Sequence, residues 1–220
     1  MIEDTRLRLF IIEAPDPMDL LQNRSEAAAL EKICHLIGHE VTSIIIKSEE
    51  EFETACRYIA SIDKNHDQYG RERVPLCVHI SSHGNEDGLG LGCDFVTWKN
   101  LFYLLKPLCT DMYNYDGRVI IIISACQAGH QKLTKEFTQE YQTDSNFRPP
   151  AYLFITADEE PTWSDAVVSW TVFYHQLPNI RLNVKTEVQK ILKRVKEVGA
   201  STLMYYRWDE KNKKYLKYSL

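Results

Sequence analysis

Strands that are apolar on both faces leave a chain few folds to choose from. Leu7–Glu13 (LRLFIIE) is of this kind, and Arg118–Ile123 (RVIIII) is the most apolar strand of all. Such a strand belongs inside a mostly parallel sheet with helices packed above and below it. Further strands read at Val41–Ile46 (VTSIII), Pro75–Ser81 (PLCVHIS) and Ala151–Ala157 (AYLFITA). Helices separate them. After a break at Pro15 and Pro17, the stripe Leu30, Ile33, Ile37 ends at Gly38, and Phe52, Ala55, Ile59 and Ile62 line Glu49–Ile62. Leu101, Leu104, Leu105 and Leu108 line Trp98–Leu108, another helix runs around Val167–His175, and Val184, Val188, Ile191, Val195 and Val198 align on Val184–Val198. Leu89–Val96 reads as a small hairpin, and Leu203–Trp208 with Tyr215–Leu220 as a terminal one. His130–Pro150 reads as a polar stretch. This alternation predicts an α/β fold with helices on both faces of the sheet. With no repeat, linker or shift of composition, residues 1–220 are expected to form a single domain.

Composition narrows the setting. A chain of 220 residues with 44% hydrophobic and 26% charged side chains has ordinary globular proportions. The cysteines at 34, 56, 77, 93, 109 and 126 stand singly, with no C-x-x-C pair. Free thiols in a reducing, cytoplasmic setting are the expectation. The start MIEDTRLRLF lacks the features of a signal peptide, and no apolar run approaches the ~18 residues of a membrane span. Residues 181–220 carry eleven Lys/Arg against four Asp/Glu. With no nucleic-acid-binding pattern beside them, these basic residues read as the polar face of a helix and the guard of a sheet edge. Neither nucleic acid nor membrane is expected as a partner, and no cofactor is implied. Cys77 and Cys93 lack close-paired metal-ligand spacing, and Cys34-His35 and His39 span a helix end and the next strand, so no metal is expected either.

The chemistry gathers at strand ends. In parallel sheets, active residues collect beyond the carboxyl ends of the strands. His83 follows the third strand and Cys126 follows RVIIII, 43 positions later. A cysteine acts as a nucleophile through its thiolate, needs a base within reach, and needs dipoles for the oxyanion it creates. Cys126 has small neighbours in Ala125, Ala128 and Gly129, and His83 is followed by Gly84. Taken singly, a strand-end cysteine is more often a structural thiol and an HG pair is common; their recurrence at equivalent points of consecutive strand–helix units is what singles them out. His79 shares a strand face with His83 by parity and is an alternative base, though it reads better as a core histidine.

The order strand–SSHG–turn–GLGLG–helix–strand–SACQAG resembles the caspase-like cysteine peptidases, which include caspases, metacaspases, legumains and the bacterial CHAT peptidases. Arg24-Ser25-Glu26 before an alanine-rich helix is similar to the Arg-x-Gly-Thr-Asp segment of caspases, without its Gly, Thr and Asp. Thr156-Ala157 followed by Trp163 resembles the caspase stretch ending in Ser-Trp-Arg, and MYYRW resembles the last strand. The resemblance implies a caspase-like, mostly parallel six-stranded sheet with a small hairpin after the His strand. It implies Cys126 as nucleophile, His83 as general base and acid, and the N–H groups of Gly84 and Cys126 as oxyanion hole. Arg24, Ser124, Trp163, Ser164 and Asp165 would form the substrate pocket.

The motif also departs from the family. The caspase signature Q-A-C-[RQG]-G reads here Ser124-Ala125-Cys126-Gln127-Ala128-Gly129. Ser124 and Ser164 replace the Gln and one of the two arginines that hold an aspartate at P1, which argues against strict aspartate specificity. Acidic Asp158, Glu159, Glu160 and Asp165 are expected near the pocket, where they favour a basic P1 or are simply solvated. The string SACQAG looks closest to CHAT peptidases. By family analogy the partners would be a protein substrate, a pore-forming effector being one candidate, a regulator or adaptor, and a second copy joined through the last strand. The role would be defence or regulated cell death. Residues 130–150 correspond to the segment where caspases are cut to mature. The rival readings are a catalytically idle interaction module that kept the fold, and a strand-end cysteine hydrolase acting on small amides.

Overall fold

A computed structural model describes residues 6–63, 74–112, 115 and 119–219. Residues 1–5, Arg118 at the start of one expected strand and Leu220 at the end of another lie outside the described residues. The strands are β1 (Arg8–Ala14), β2 (Glu40–Ile45), β3 (Leu76–Ser82), β4 (Gly88–Leu91), β5 (Asp94–Thr97), β6 (Val119–Ser124), β7 (Tyr152–Thr156), β8 (Leu203–Asp209) and β9 (Lys214–Tyr218). Seven of them form one sheet in the order β2-β1-β3-β6-β7-β8-β9, and β4-β5 form the small hairpin after β3. Pairings from β2 to β7 are parallel, and the last two are antiparallel.

The mostly parallel α/β sheet is as expected, but six strands is one too few. Both strands of the terminal hairpin join the sheet, because aromatic pairs zip β9 onto β8. Tyr205 stacks on Tyr218 with ring centroids 4.8 Å apart, and Trp208 meets Tyr215 edge-on at 5.2 Å.

The helices are α1 (Pro17–Leu21), α2 (Glu26–Leu36), α3 (Glu49–Ala60), α4 (Trp98–Leu105), α5 (Pro107–Thr110), α6 (Leu133–Thr143), α7 (Trp163–Gln176) and α8 (Lys185–Glu197). The period-2 alternation of the buried strands sorts side chains into two cores. Val78, Ile80, Ile121, Ile123, Leu153 and Ile155 meet Phe52, Ile59, Phe102 and Phe137 of α3, α4 and α6. Cys77, Ile120, Ile122 and Phe154 meet Leu30, Trp170, Phe173 and Ile191 of α2, α7 and α8.

Two boundaries differ for local reasons. Pro107 ends α4 and restarts the chain as α5, because proline cannot continue the hydrogen-bond ladder. The stretch expected to be polar contains α6, a helix with Leu133 and Phe137 buried, Phe137 stacked on Phe147, and Lys106 bridged to Glu140 at 2.5 Å.

Among the described residues no helix is long and apolar enough to cross a membrane. The carboxyl ends of β1, β3, β6 and β7 open onto the same side of the sheet, with Ala14 level with Ser82 and Ser81 level with Ser124.

Candidate active site

β3 and β6 are immediate neighbours, so the residues just beyond them emerge side by side. His83 and Cys126 both line a cleft of about 620 Å³, together with Arg24, Ser124, Trp163 and Ser164. Its remaining walls include Glu26, Ser82, Ala125 and Pro161.

The turn beyond β6 is sharp. Gln127 adopts a left-handed φ of 54°, a conformation uncommon for a residue with a side chain. Its side-chain Oε1 accepts the Glu86 N–H at 2.9 Å, which ties the cysteine turn to the turn that follows His83. Across that junction Gly84 lies so close that a Cβ on it would sit 2.9 Å from the carbonyl oxygen of Cys126 and 3.1 Å from the Ala125 Cβ. Glycine is therefore required there by space. Gly84 also bridges to Leu89, but the bonds of that bridge run from Asn85 N–H to Gly88 and from Gly90 N–H to His83. The Gly84 N–H takes no part in that bridge, and Gly84 is not itself among the residues lining the cleft.

His83 is half-exposed and held on two sides. Its Nε2 lies 2.7 Å from Asp19 Oδ2, and the Trp163 ring stands edge-on to it with centroids 5.6 Å apart. Asp19 is itself nearly buried, on α1. The Cys126 thiol is half-buried. Burial pushes its pKa up, its own backbone N–H opposes this, and the charge of Glu160 adds to the rise. At neutral pH the resting form is the thiol.

Below the cleft runs a polar chain in an otherwise apolar layer. Trp170 Nε1 donates to Ser124 Oγ at 2.9 Å, Ser124 donates to Glu26 Oε2 at 3.0 Å, and Glu26 Oε1 meets His79 Nε2 at 2.7 Å. His79 Nδ1 meets the Tyr174 hydroxyl at 2.8 Å. With Tyr174 donating to Nδ1 and Nε2–H donating to Glu26, each group in this chain has a partner. His79 is a core histidine.

The remaining candidates separate. Arg24 is an exposed guanidinium on the cleft wall. Ser124 lines the cleft, but its hydroxyl is already engaged by Glu26 and Trp170. Ser164 is exposed and shares a hydrogen bond with Thr162. Asp165 is not among the lining residues; its carboxylate completes the capping box of α7, accepting the Thr162 hydroxyl at 2.6 Å. Asp158 is not among the lining residues; its carboxylate accepts the Thr202 N–H at 2.6 Å. Asp19 and Glu26 carry polar functions at the site to which the sequence motifs assigned no role, while Glu160, expected near the pocket, acts on the Cys126 thiol. For Asp19 a signal was present: Asp16-Pro17 is an N-cap followed by a first-turn proline, the start of α1.

Of the other cysteines, 34, 56, 77 and 109 are buried, as packing thiols should be, whereas Cys93 is exposed. Among the described residues no three His, Cys, Asp or Glu side chains are grouped so as to hold a metal.

No protein-family model matches the chain, and no curated protein sequence matches it. Solved structures do. Caspase-1 from Spodoptera frugiperda superposes with a TM-score of 0.52 at 16% identity, over 87% of this chain and 75% of that one. A structure described as pro-sf-caspase-1 gives 0.48 at 18% identity, over 86% and 78%. The former likeness, together with the flanked mostly parallel sheet, shows a caspase-like fold.

Proposed function

We propose that the protein is a caspase-like cysteine endopeptidase in which Cys126 and His83 do the chemistry. The observation that carries this reading is their convergence on one cleft from the ends of two adjacent parallel strands. His83 takes the thiol proton as Cys126 Sγ attacks the scissile carbonyl, and the N–H groups of Gly84 and Cys126 receive the oxyanion. His83 then returns the proton to the leaving amine as the C–N bond breaks. A water, deprotonated by His83, hydrolyses the thioester, and the thiol is restored. Because burial and Glu160 favour the neutral thiol, proton transfer accompanies attack instead of preceding it.

The cleft argues against an acidic P1. Arg24 is the cation on its wall, Ser124 is engaged within the protein, and the buried Glu26 carboxylate lies at the same wall. An aspartate side chain there meets one guanidinium and one like charge. Acidic-P1 aldehyde or chloromethyl ketone inhibitors are expected to react slowly; rapid inactivation would sink this part of the proposal.

A cytoplasmic, single-domain peptidase closest to the CHAT group, acting in defence or regulated death on a pore-forming protein and pairing through β9, is the biological setting this reading implies by analogy. The test of activity is mass spectrometry of peptides released by wild type and by Cys126→Ala. Turnover is expected to vanish in the variant with the melting temperature nearly unchanged, and residual activity above about 1% would refute Cys126 as nucleophile, since loss of an acyl-transfer nucleophile costs many orders of magnitude. The raised thiol pKa favours a second reading, an idle interaction module, which predicts that Cys126 alkylates no faster than the exposed Cys93.

A further inference from the structure

We infer that Asp19 is the positioning residue of His83, making the site a Cys126–His83–Asp19 triad; this rests on the peptidase reading above. The imidazole stands at the rim of the cleft with 54% of its side chain exposed. A side chain so placed has rotamers to choose from, and two contacts restrain it. Trp163 limits the ring by its edge and cannot distinguish one nitrogen from the other. Asp19 can. Its Oδ2 is 2.7 Å from Nε2, so this nitrogen carries the proton and Nδ1 is left as the basic nitrogen. When Nδ1 accepts the thiol proton, the imidazolium forms against a carboxylate already in hydrogen-bond contact, 9% exposed and poorly screened by water.

Asp19 is held for this task by its own segment. Asp16 caps α1 by accepting the Met18 N–H at 2.7 Å, Pro17 sets the first turn, and the Asp19 N–H donates to Asp16 O. The Asp19 carbonyl accepts the Arg24 N–H at 2.8 Å, which ties it to the link between α1 and α2 that also supplies the cleft's cation. Of the other acids near the cleft, Glu26 is engaged by His79 and Ser124 and Asp165 by its helix cap. The α1 segment lies beyond β1, the neighbour of β3 on the side away from β6, so the carboxylate approaches His83 from the flank opposite the cysteine strand. Three adjacent strands, β1, β3 and β6, thus deliver acid, base and nucleophile in that spatial order.

The experiment needs no known substrate. Alkylation of Cys126 by iodoacetamide at neutral pH, followed by peptide mass spectrometry, is compared for wild type, His83→Ala, Asp19→Asn and the double variant. His83→Ala should slow alkylation by about a hundredfold and Asp19→Asn by at least about tenfold, within the range of general-base catalysis. The double variant should be no slower than His83→Ala alone, because Asp19 works through His83. An Asp19→Asn rate within about twofold of wild type, far short of what loss of base orientation costs, overturns the inference while leaving the dyad standing. An effect of the same size in the His83→Ala background also overturns it, as that marks a folding defect. Wild type and His83→Ala alkylating equally fast would instead overturn the peptidase reading itself. A second measurement uses unmutated protein: nitrogen-15 spectra of the histidines should show His83 as the Nε2–H tautomer, and an Nδ1–H tautomer is incompatible with the triad. Once a peptide substrate is in hand, Asp19→Asn should lower kcat and leave KM nearly unchanged.

Discussion

A thiol that is half-buried and faces an acidic neighbour is a reluctant anion, and the Cys126 environment has both properties. Burial comes first, and Glu160 adds a like-charge contribution that one substitution can remove. Glu160→Gln should therefore lower the thiol pKa and raise the thiolate fraction on the alkaline side. The rise of the iodoacetamide rate with pH is expected to begin earlier than in wild type, and a later onset would contradict the stated sign. The residue scale is also where the sequence was most and least readable. His83 and Cys126 could be found because strand ends in parallel sheets are predictable and their spacing repeats a strand–helix unit. For Asp19 the contact with His83 was not legible, because the two are 64 positions apart and a five-residue helix with no apolar period does not announce where it lands, even though its N-cap and first-turn proline mark its start. Glu26 was quoted only as part of a motif. Its buried contact with His79, 53 positions away, depends on where the first turn of α2 meets β3.

The element that matters most is the pair of turns beyond β3 and β6. They are joined at two points, by Gln127 Oε1 accepting from the Glu86 N–H and by Gly84 pressed against Ala125 and Cys126. A methyl group on Gly84 has nowhere to go, because one of the atoms it meets is backbone and the turn is fixed by the strand above it. Gly84→Ala should therefore displace the Cys126 turn, lowering stability by about 1–3 kcal/mol in a urea titration and removing most activity. Retention of both would show that the turn yields. The elements of the sheet could be read because each buried strand announces itself by composition, to within a residue or two. The helix α6 could not, since Leu133 and Phe137 alone supply its buried side and eight of its eleven side chains are polar. What makes it a helix is the aromatic cluster of Phe102, Phe137 and Phe147, assembled from three separate segments. That packed helix occupies most of the 130–150 segment.

At the scale of the whole molecule, the two apolar layers give the protein a distinctive response to alkali. Cys34, Cys56, Cys77 and Cys109 are buried in those layers, and burial pushes each thiol pKa upward, that of Cys34 to about 12. The same cause raises Tyr174 and Tyr215 well above their usual value. In the unfolded chain each thiol ionises near its free value of about 8.5. A group whose pKa is raised by folding leaves stability intact below the unfolded value and withdraws it above, as the unfolded state alone releases the proton. The stability contributed by these thiols should thus be constant up to about pH 8 and fall at higher pH, each thiol subtracting up to about 1.4 kcal/mol per pH unit until its folded pKa is reached. Cys109→Ala removes one such group with a small loss of volume, so its stability should decline less steeply with pH by about one thiol's share. Urea midpoints measured between about pH 8 and 10.5, the window between the free thiol and the buried ones, decide the matter. A parallel decline in wild type and variant would show that Cys109 is not protected in the folded state, and that water reaches the layer between α5 and the sheet.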